Sequence, residues 1–118
     1  MDVELLSKMV KELVLDNDKV SLPGLGAFVA EVVPSTFSDR GYTINPPYRK
    51  LSFRTGAEPD TLLRDFYASN NDVAPEMALR ILETFAGDLK SALETSRVVN
   101  LPGLGRLRSG RDGSIFFV

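Results

Sequence analysis

The 118-residue chain contains no cysteine, no histidine and no tryptophan. Without cysteine there can be no disulfide and no thiolate metal site. Without histidine the commonest general base, the commonest metal ligand and the near-neutral pH switch are all missing. No stretch approaches the roughly 18–20 consecutive apolar residues of a membrane-spanning helix, and the N-terminus has no signal-peptide pattern. As written, the chain reads as cytoplasmic. Its glycine-rich turns match neither a Walker loop nor a dinucleotide fingerprint in spacing. The carboxylates are scattered, and Asp16, Asn17 and Asp18 lack the spacing of an EF-hand loop. No enzyme activity, cofactor, metal site or small-molecule substrate is expected. With 43% hydrophobic and 25% charged residues, the composition is that of an ordinary globular protein.

What the chain does contain is a repeat. Leu-Pro-Gly-Leu-Gly occurs at Leu22–Gly26 and again, 79 residues on, at Leu101–Gly105. Val20-Ser21 precedes the first copy and Val99-Asn100 the second. Each copy follows an amphipathic helical pattern and opens an alternating strand, so the chain reads as two partial versions of one helix-then-hairpin unit. Proline fixes one backbone angle, and glycine allows positive φ or a close backbone approach. The motif therefore marks a sharp bend and points to a fold, not to an active site.

Val3, Leu6, Val10, Leu13 and Val14 fall at helical spacing and predict a helix over 3–15. Lys19–Leu22, Ala27–Val33 and Tyr48–Arg54 read as strands, with Pro34 ending the second and a polar loop over Pro34–Thr43. Thr55-Gly56-Ala57-Glu58 has capping-box spacing, with Pro59 suited to a first helical turn. A long helix is expected from Pro75 to about Leu93, with Ala78, Ile81, Leu82, Phe85, Leu89 and Leu93 on its buried stripe and Gly87 marking close packing. Arg97–Leu101, Gly105–Gly110 and Ser114–Val118 complete the strands, and Asp112-Gly113 supplies a hairpin signal. The expected core is Leu6, Val10, Leu13, Phe28, Phe53, Leu62, Phe66, Ile81, Phe85 and Leu89. The expected fold is α+β, with amphipathic helices packed on short antiparallel hairpins. One unit spans 1–70 and a second, truncated one spans 71–118. The chain stops inside the apolar run Ile115–Val118, which suits either a short second unit or a piece of a longer protein.

The net charge of −2 conceals a segregation of charge. Residues 57–96 hold three basic and eight acidic side chains, whereas 34–56 and 97–118 each hold four basic and one acidic. The acidic stretches are predicted helices and the basic stretches predicted hairpins. Arg40, Arg49, Lys50 and Arg54 on the first hairpin, and Arg97, Arg106, Arg108 and Arg111 on the second, are the candidate nucleic-acid-binding residues. Arg106 and Arg108 flank Leu107, which puts both on one face of a strand.

The order of these motifs resembles the HU/IHF superfamily of bacterial DNA-architectural proteins. Gly24-Leu25-Gly26-Ala27-Phe28 is similar to the Gly-Phe-Gly-Thr-Phe turn of HU, and Phe53-Arg54-Thr55-Gly56 to its Phe-Lys-Ala-Gly. Residues 73–108 resemble the second HU helix and its following turn. Asn17-Asp18-Lys19-Val20, Pro23–Phe28 and Pro46-Pro47 further resemble the tandem HU-like domains of Bacteroidetes-type bacteria, which often precede a membrane helix and a SPOR domain. The resemblance implies an HU-type fold in tandem and a role in chromosome organisation or partition, in the cytoplasm or on the cytoplasmic part of a membrane-anchored protein. HU wedges an arm-tip proline between base steps. Pro46 lies only seven residues before Phe53, so it is expected at the base of the return strand and not at a tip. Glu58 and Asp60 are acidic where HU tends to be basic.

Two kinds of partner are implied by these readings. One is duplex DNA, held weakly and without sequence preference by the basic hairpins. The other is protein, either another copy of the chain or a different partner, which the acidic helices and the apolar end at Phe116-Phe117 favour.

Overall fold

A computed structural model describes residues 3–34, 36–37, 44–45, 48–56 and 58–118. Its helices are α1 (Val3–Leu13), α2 (Leu62–Asn71) and α3 (Pro75–Ser96). Its strands are β1 (Lys19–Leu22), β2 (Gly26–Val33), β3 (Thr36–Phe37), β4 (Ile44–Asn45), β5 (Tyr48–Arg54), β6 (Val98–Leu101), β7 (Gly105–Ser109) and β8 (Ile115–Phe117). One antiparallel sheet has the order β1-β2-β5 and a second has the order β6-β7-β8. The fold is α+β, as the helical and alternating patterns predict.

Both Leu-Pro-Gly-Leu-Gly copies form the same turn. The Leu25 amide donates to the Leu22 carbonyl at 3.1 Å, and the Leu104 amide to that of Leu101 at 2.9 Å. Proline at the second position and glycine at positive φ in the third (Gly24 +86°, Gly103 +76°) make each a type II turn. The strands on either side pair alike, Leu22 with Gly26 and Leu101 with Gly105. The likeness extends to the return strands. A Cβ on Gly26 would lie 2.9 Å from the Phe53 ring, and one on Gly105 would overlap the Phe117 ring. Each glycine thus makes room for an aromatic ring arriving from the third strand.

The two hairpins differ in length. Phe53 lies 27 residues beyond Gly26, but Phe117 only 12 beyond Gly105. The first hairpin carries the extra chain, and within it β3 and β4 form a short ladder, Thr36 with Asn45 and Phe37 with Ile44. The Thr36 and Phe37 ends of these pairings fall within the predicted polar loop. Pro46 lies outside the described residues. The second hairpin closes tightly. The Gly110 amide reaches the Ser114 carbonyl at 2.8 Å, and the Gly113 amide reaches that of Gly110 at 3.1 Å.

A single core joins the two sheets. Leu6 and Val10 of α1, Val20, Leu22 and Phe28 of the first sheet, Leu63 of α2, Leu82, Leu89 and Leu93 of α3, and Leu101 and Leu107 of the second sheet form one buried cluster. Strand β8 lies against β5, and Phe28 sits edge-on to Phe53 at 5.1 Å and to Phe117 at 6.2 Å. On the face away from this core, Ser21 and Ala27 of the first sheet are buried, whereas Arg106, Arg108 and Phe116 of the second sheet are exposed.

Several local expectations need correction. The second helix does not begin at the Thr55–Glu58 pattern but at Leu62, because the Asp60 carboxylate accepts from the Leu62 amide at 3.2 Å and from the Ser21 amide at 3.1 Å. Asp60 thereby ties the start of α2 to β1, and Lys19 Nζ donates to the Glu58 carbonyl at 2.7 Å beside it. The long helix runs to Ser96 and stops at Arg97, which turns left-handed at φ 67°. Its buried stripe is Ala78, Leu82, Ala86, Leu89 and Leu93. Ile81 and Phe85 are only half-buried, as are Leu13, Leu62 and Phe66. The small side chain of Ala86 lets the first turn approach, with the Gly24 Cβ position 3.9 Å from Ala86 Cβ. Gly87 is exposed and nothing lies within 4 Å of its Cβ position, so it marks no close packing.

Candidate nucleic-acid interface

Among the described residues the basic side chains separate into those engaged by other groups of the chain and those left free. Arg49 sits on the core-facing side of β5, beyond the last buried pair, opposite Val32. Its guanidinium donates to the Val14 carbonyl at the end of α1, to the Asn17 carbonyl at 3.3 Å and to Asp18 at 3.3 Å. A cation there satisfies carbonyls that a helix C-terminus leaves open and opposes the negative end of its dipole. Arg49 is therefore a clamp between the first hairpin and α1. Arg54, on the opposite face of β5, forms an ion pair with Glu31 of β2. Arg97 ends α3 and donates to the Gly110 carbonyl at 3.3 Å. Arg40 lies outside the described residues.

Lys50, Arg106, Arg108 and Arg111 are exposed, and among the described residues they have no ion-pair partner. Strand alternation explains the positions of Arg106 and Arg108. Leu107 between them is fully buried, so both arginines point off the outer face of β7. Arg108 pairs with Val98 on one side and Phe116 on the other. Arg106 pairs with Asn100, and on its other side exchanges backbone bonds with Val118 at 2.8 and 3.3 Å. No carboxylate lies on β6, β7 or β8. The outer face of the first sheet is mixed, with Glu31 directly opposite Lys50. Free positive charge is therefore concentrated on the second sheet. Arg111 stands beside it in the hairpin loop. Asp112, also in the loop, accepts from the Ser114 hydroxyl at 2.7 Å and its amide at 3.1 Å. Those bonds hold the Asp112 carboxyl below its ordinary pKa.

The concave regions offer less. A hollow of about 290 Å³ beside the first turn is lined by Ser21, Pro23, Leu25, Gly56 and Pro59 among others, with no charged side chain. A smaller one, about 150 Å³, lies between the end of α3 and the second hairpin. Lys90 and Arg97 reach it, but so does Glu94. Among the described residues no cluster of carboxylates could hold a metal ion, and no helix is long and apolar enough to cross a membrane.

Residues 3–56 match the family model of the CCDC81-like prokaryotic HU domain 1. This segment is an HU-like domain. The match covers α1, the first turn and the first hairpin, and the resemblance read at residues 73–108 lies outside it. No curated protein and no solved structure gave a match. Spacing around Leu107 is enough to place Arg106 and Arg108 on a free face from sequence. The same reasoning groups them with Arg49, Arg54 and Arg97, because the carbonyls and the carboxylate that engage those three come from distant parts of the chain. The Arg108–Phe116 pairing escapes it, although the alternation of Phe116 against Phe117 is a usable signal.

Proposed function

We propose that the chain is a non-enzymatic DNA-binding module of HU type, holding duplex DNA weakly and without sequence preference in chromosome organisation or partition. The observation that carries this reading is the outer face of the second sheet, whose strands bear no carboxylate side chain and on which Arg106 and Arg108 have no ion-pair partner among the described residues, in a chain whose N-terminal segment is HU-like. Lys50 and Arg111 add to the positive field. Phosphate contacts need only such a surface, and their strength falls with salt as counterions are released. Four contacts correspond to a log–log salt slope of about −3 to −4. The acidic helices repel the duplex and limit the affinity. The proposed setting is cytoplasmic.

Titration of labelled duplex DNA at two salt concentrations tests the reading. Binding should be micromolar at low salt and steeply weaker at high salt. The double change Arg106→Glu and Arg108→Glu should abolish it while leaving the melting temperature unchanged. Absence of a shift at low salt overturns the proposal. The second reading, a protein-interaction or assembly module, is favoured by the exposed apolar side chains Leu15, Val32 and Val118 and by the acidity of 57–96. It predicts self-association that depends on concentration, measurable by sedimentation, whether or not DNA is bound.

A further inference from the structure

We infer that the outer face of β6-β7-β8 is a stacking platform for single-stranded nucleic acid, with Phe116 the ring on which a base stacks and Arg106 and Arg108 the phosphate contacts. The inference deepens the proposed function and rests on it for its electrostatics. Phe116 is the point that a duplex reading leaves unexplained. Phe116 is 45% exposed on β8, at the side of the face that carries Arg106 and Arg108, whereas its neighbour Phe117 turns inward to the core. Among the described residues no other ring stacks on it. Its ring edge lies 3.5 Å from the Cβ position of Gly110, a spot also approached by the Ser114 hydroxyl at 2.8 Å and the Asp112 carboxylate at 3.0 Å, so a side chain at Gly110 would crowd this end of the ring. Arg108 is its direct cross-strand partner and Arg106 is two residues further along the same face. Val98 flanks Arg108 on β6, and Val118 flanks Arg106 on the opposite side.

The arrangement suits a single strand better than a duplex. In a duplex the base faces are already stacked inside, and an exposed ring on a protein surface meets only sugar and phosphate. In a single strand each base has a free π-face. A phenyl ring flanked by guanidinium groups can take the base while the guanidinium groups take the backbone, without regard to sequence. Strands spaced about 4.8 Å apart set the ring and the cations a few ångströms from one another, which is the scale of one nucleotide.

Because the chain has no tryptophan, Phe116→Trp places a unique fluorophore on the platform while keeping an aromatic face. In this variant, short oligothymidine and oligouridine should quench the indole fluorescence and bind more tightly than duplex DNA of equal length. Comparing the two oligomers separates DNA from RNA as the source of the strand. Phe116→Leu, which keeps an apolar side chain but loses the ring, should bind single strands about tenfold or more weakly than the parent chain, with duplex affinity unaltered. Circular dichroism melting of both variants checks that the sheet is intact. If duplex binds as well as single strand, or if single strands bind without moving the indole signal, the platform is refuted and the duplex-binding function survives. If neither nucleic acid binds at low salt, the proposed function fails and the platform fails with it.

Discussion

Two glycines show how context decides the value of a residue. Gly87 is exposed in the middle of α3 with nothing near its Cβ position. Gly87→Ala should raise stability by up to about 1 kcal/mol, because alanine loses less conformational freedom in a helix. Gly105 sits beneath the Phe117 ring, and the Val118 carbonyl oxygen is 3.0 Å from its Cβ position. Gly105→Ala should lower stability by about 1–3 kcal/mol through overpacking. Chemical denaturation of the two variants gives both signs in one experiment. The phenylalanines divide in the same way. Phe28 is fully buried between Phe53 and Phe117, so Phe28→Ala should cost about 3–5 kcal/mol. Phe85 lies at the margin of the α3 stripe and should cost clearly less. Helical periodicity puts Phe85 and Ile81 on the inner side, since an apolar stripe read from sequence is broader than the line that finally meets the core. The choice of Ala86 as the centre depends on the first turn coming close, and that contact is not local in sequence.

At the scale of elements, the strands of the two three-stranded sheets are legible in the sequence because alternation and turn chemistry are local, whereas the two-residue strands β3 and β4 are not, since they are too short to show alternation. Type II turns at both Leu-Pro-Gly-Leu-Gly copies need only a proline followed by a glycine of positive φ. The start of α2 is not legible, because Asp60 acts by binding both the Leu62 amide and the Ser21 amide of another element. The candidate interface is half legible for the same reason. Arg49 looks like a free cation in the sequence, but it fastens β5 to the end of α1 through the Val14 and Asn17 carbonyls. Its side chain is 38% exposed, so water screens part of the gain. Arg49→Ala should lower stability by about 1 kcal/mol. Duplex affinity should fall far less than in the Arg106→Glu, Arg108→Glu pair. Parallel melting and binding curves for the two variants distinguish a clamp from a phosphate contact.

For the whole molecule the central question is whether the two hairpins are separate folding units or halves of one. The HU-like match ends at residue 56, yet the side chains that this segment buries are covered largely by elements C-terminal to it. Leu6 and Val10 of α1 share a cluster with Leu63, Leu82, Leu89 and Leu101, and Phe28 meets Phe117 from the far end of the chain. A stretch of about 56 residues without its own cover has too little buried area to offset the chain entropy lost on folding. Residues 1–56 produced alone should therefore give a far-ultraviolet spectrum dominated by disordered chain. The full chain should unfold in one transition, with calorimetric and van't Hoff enthalpies equal. Removing β8 by ending the chain at Gly110 should destabilise the first sheet as well as the second, because it strips Phe117 from Phe28. Two resolved transitions in the full chain, or a folded and cooperative 1–56 fragment, would show that the shared core is an accessory contact between independent domains. A single transition would mean that the free arginine face of the second sheet is held in place by the HU-like segment itself, so that binding and folding draw on the same set of contacts.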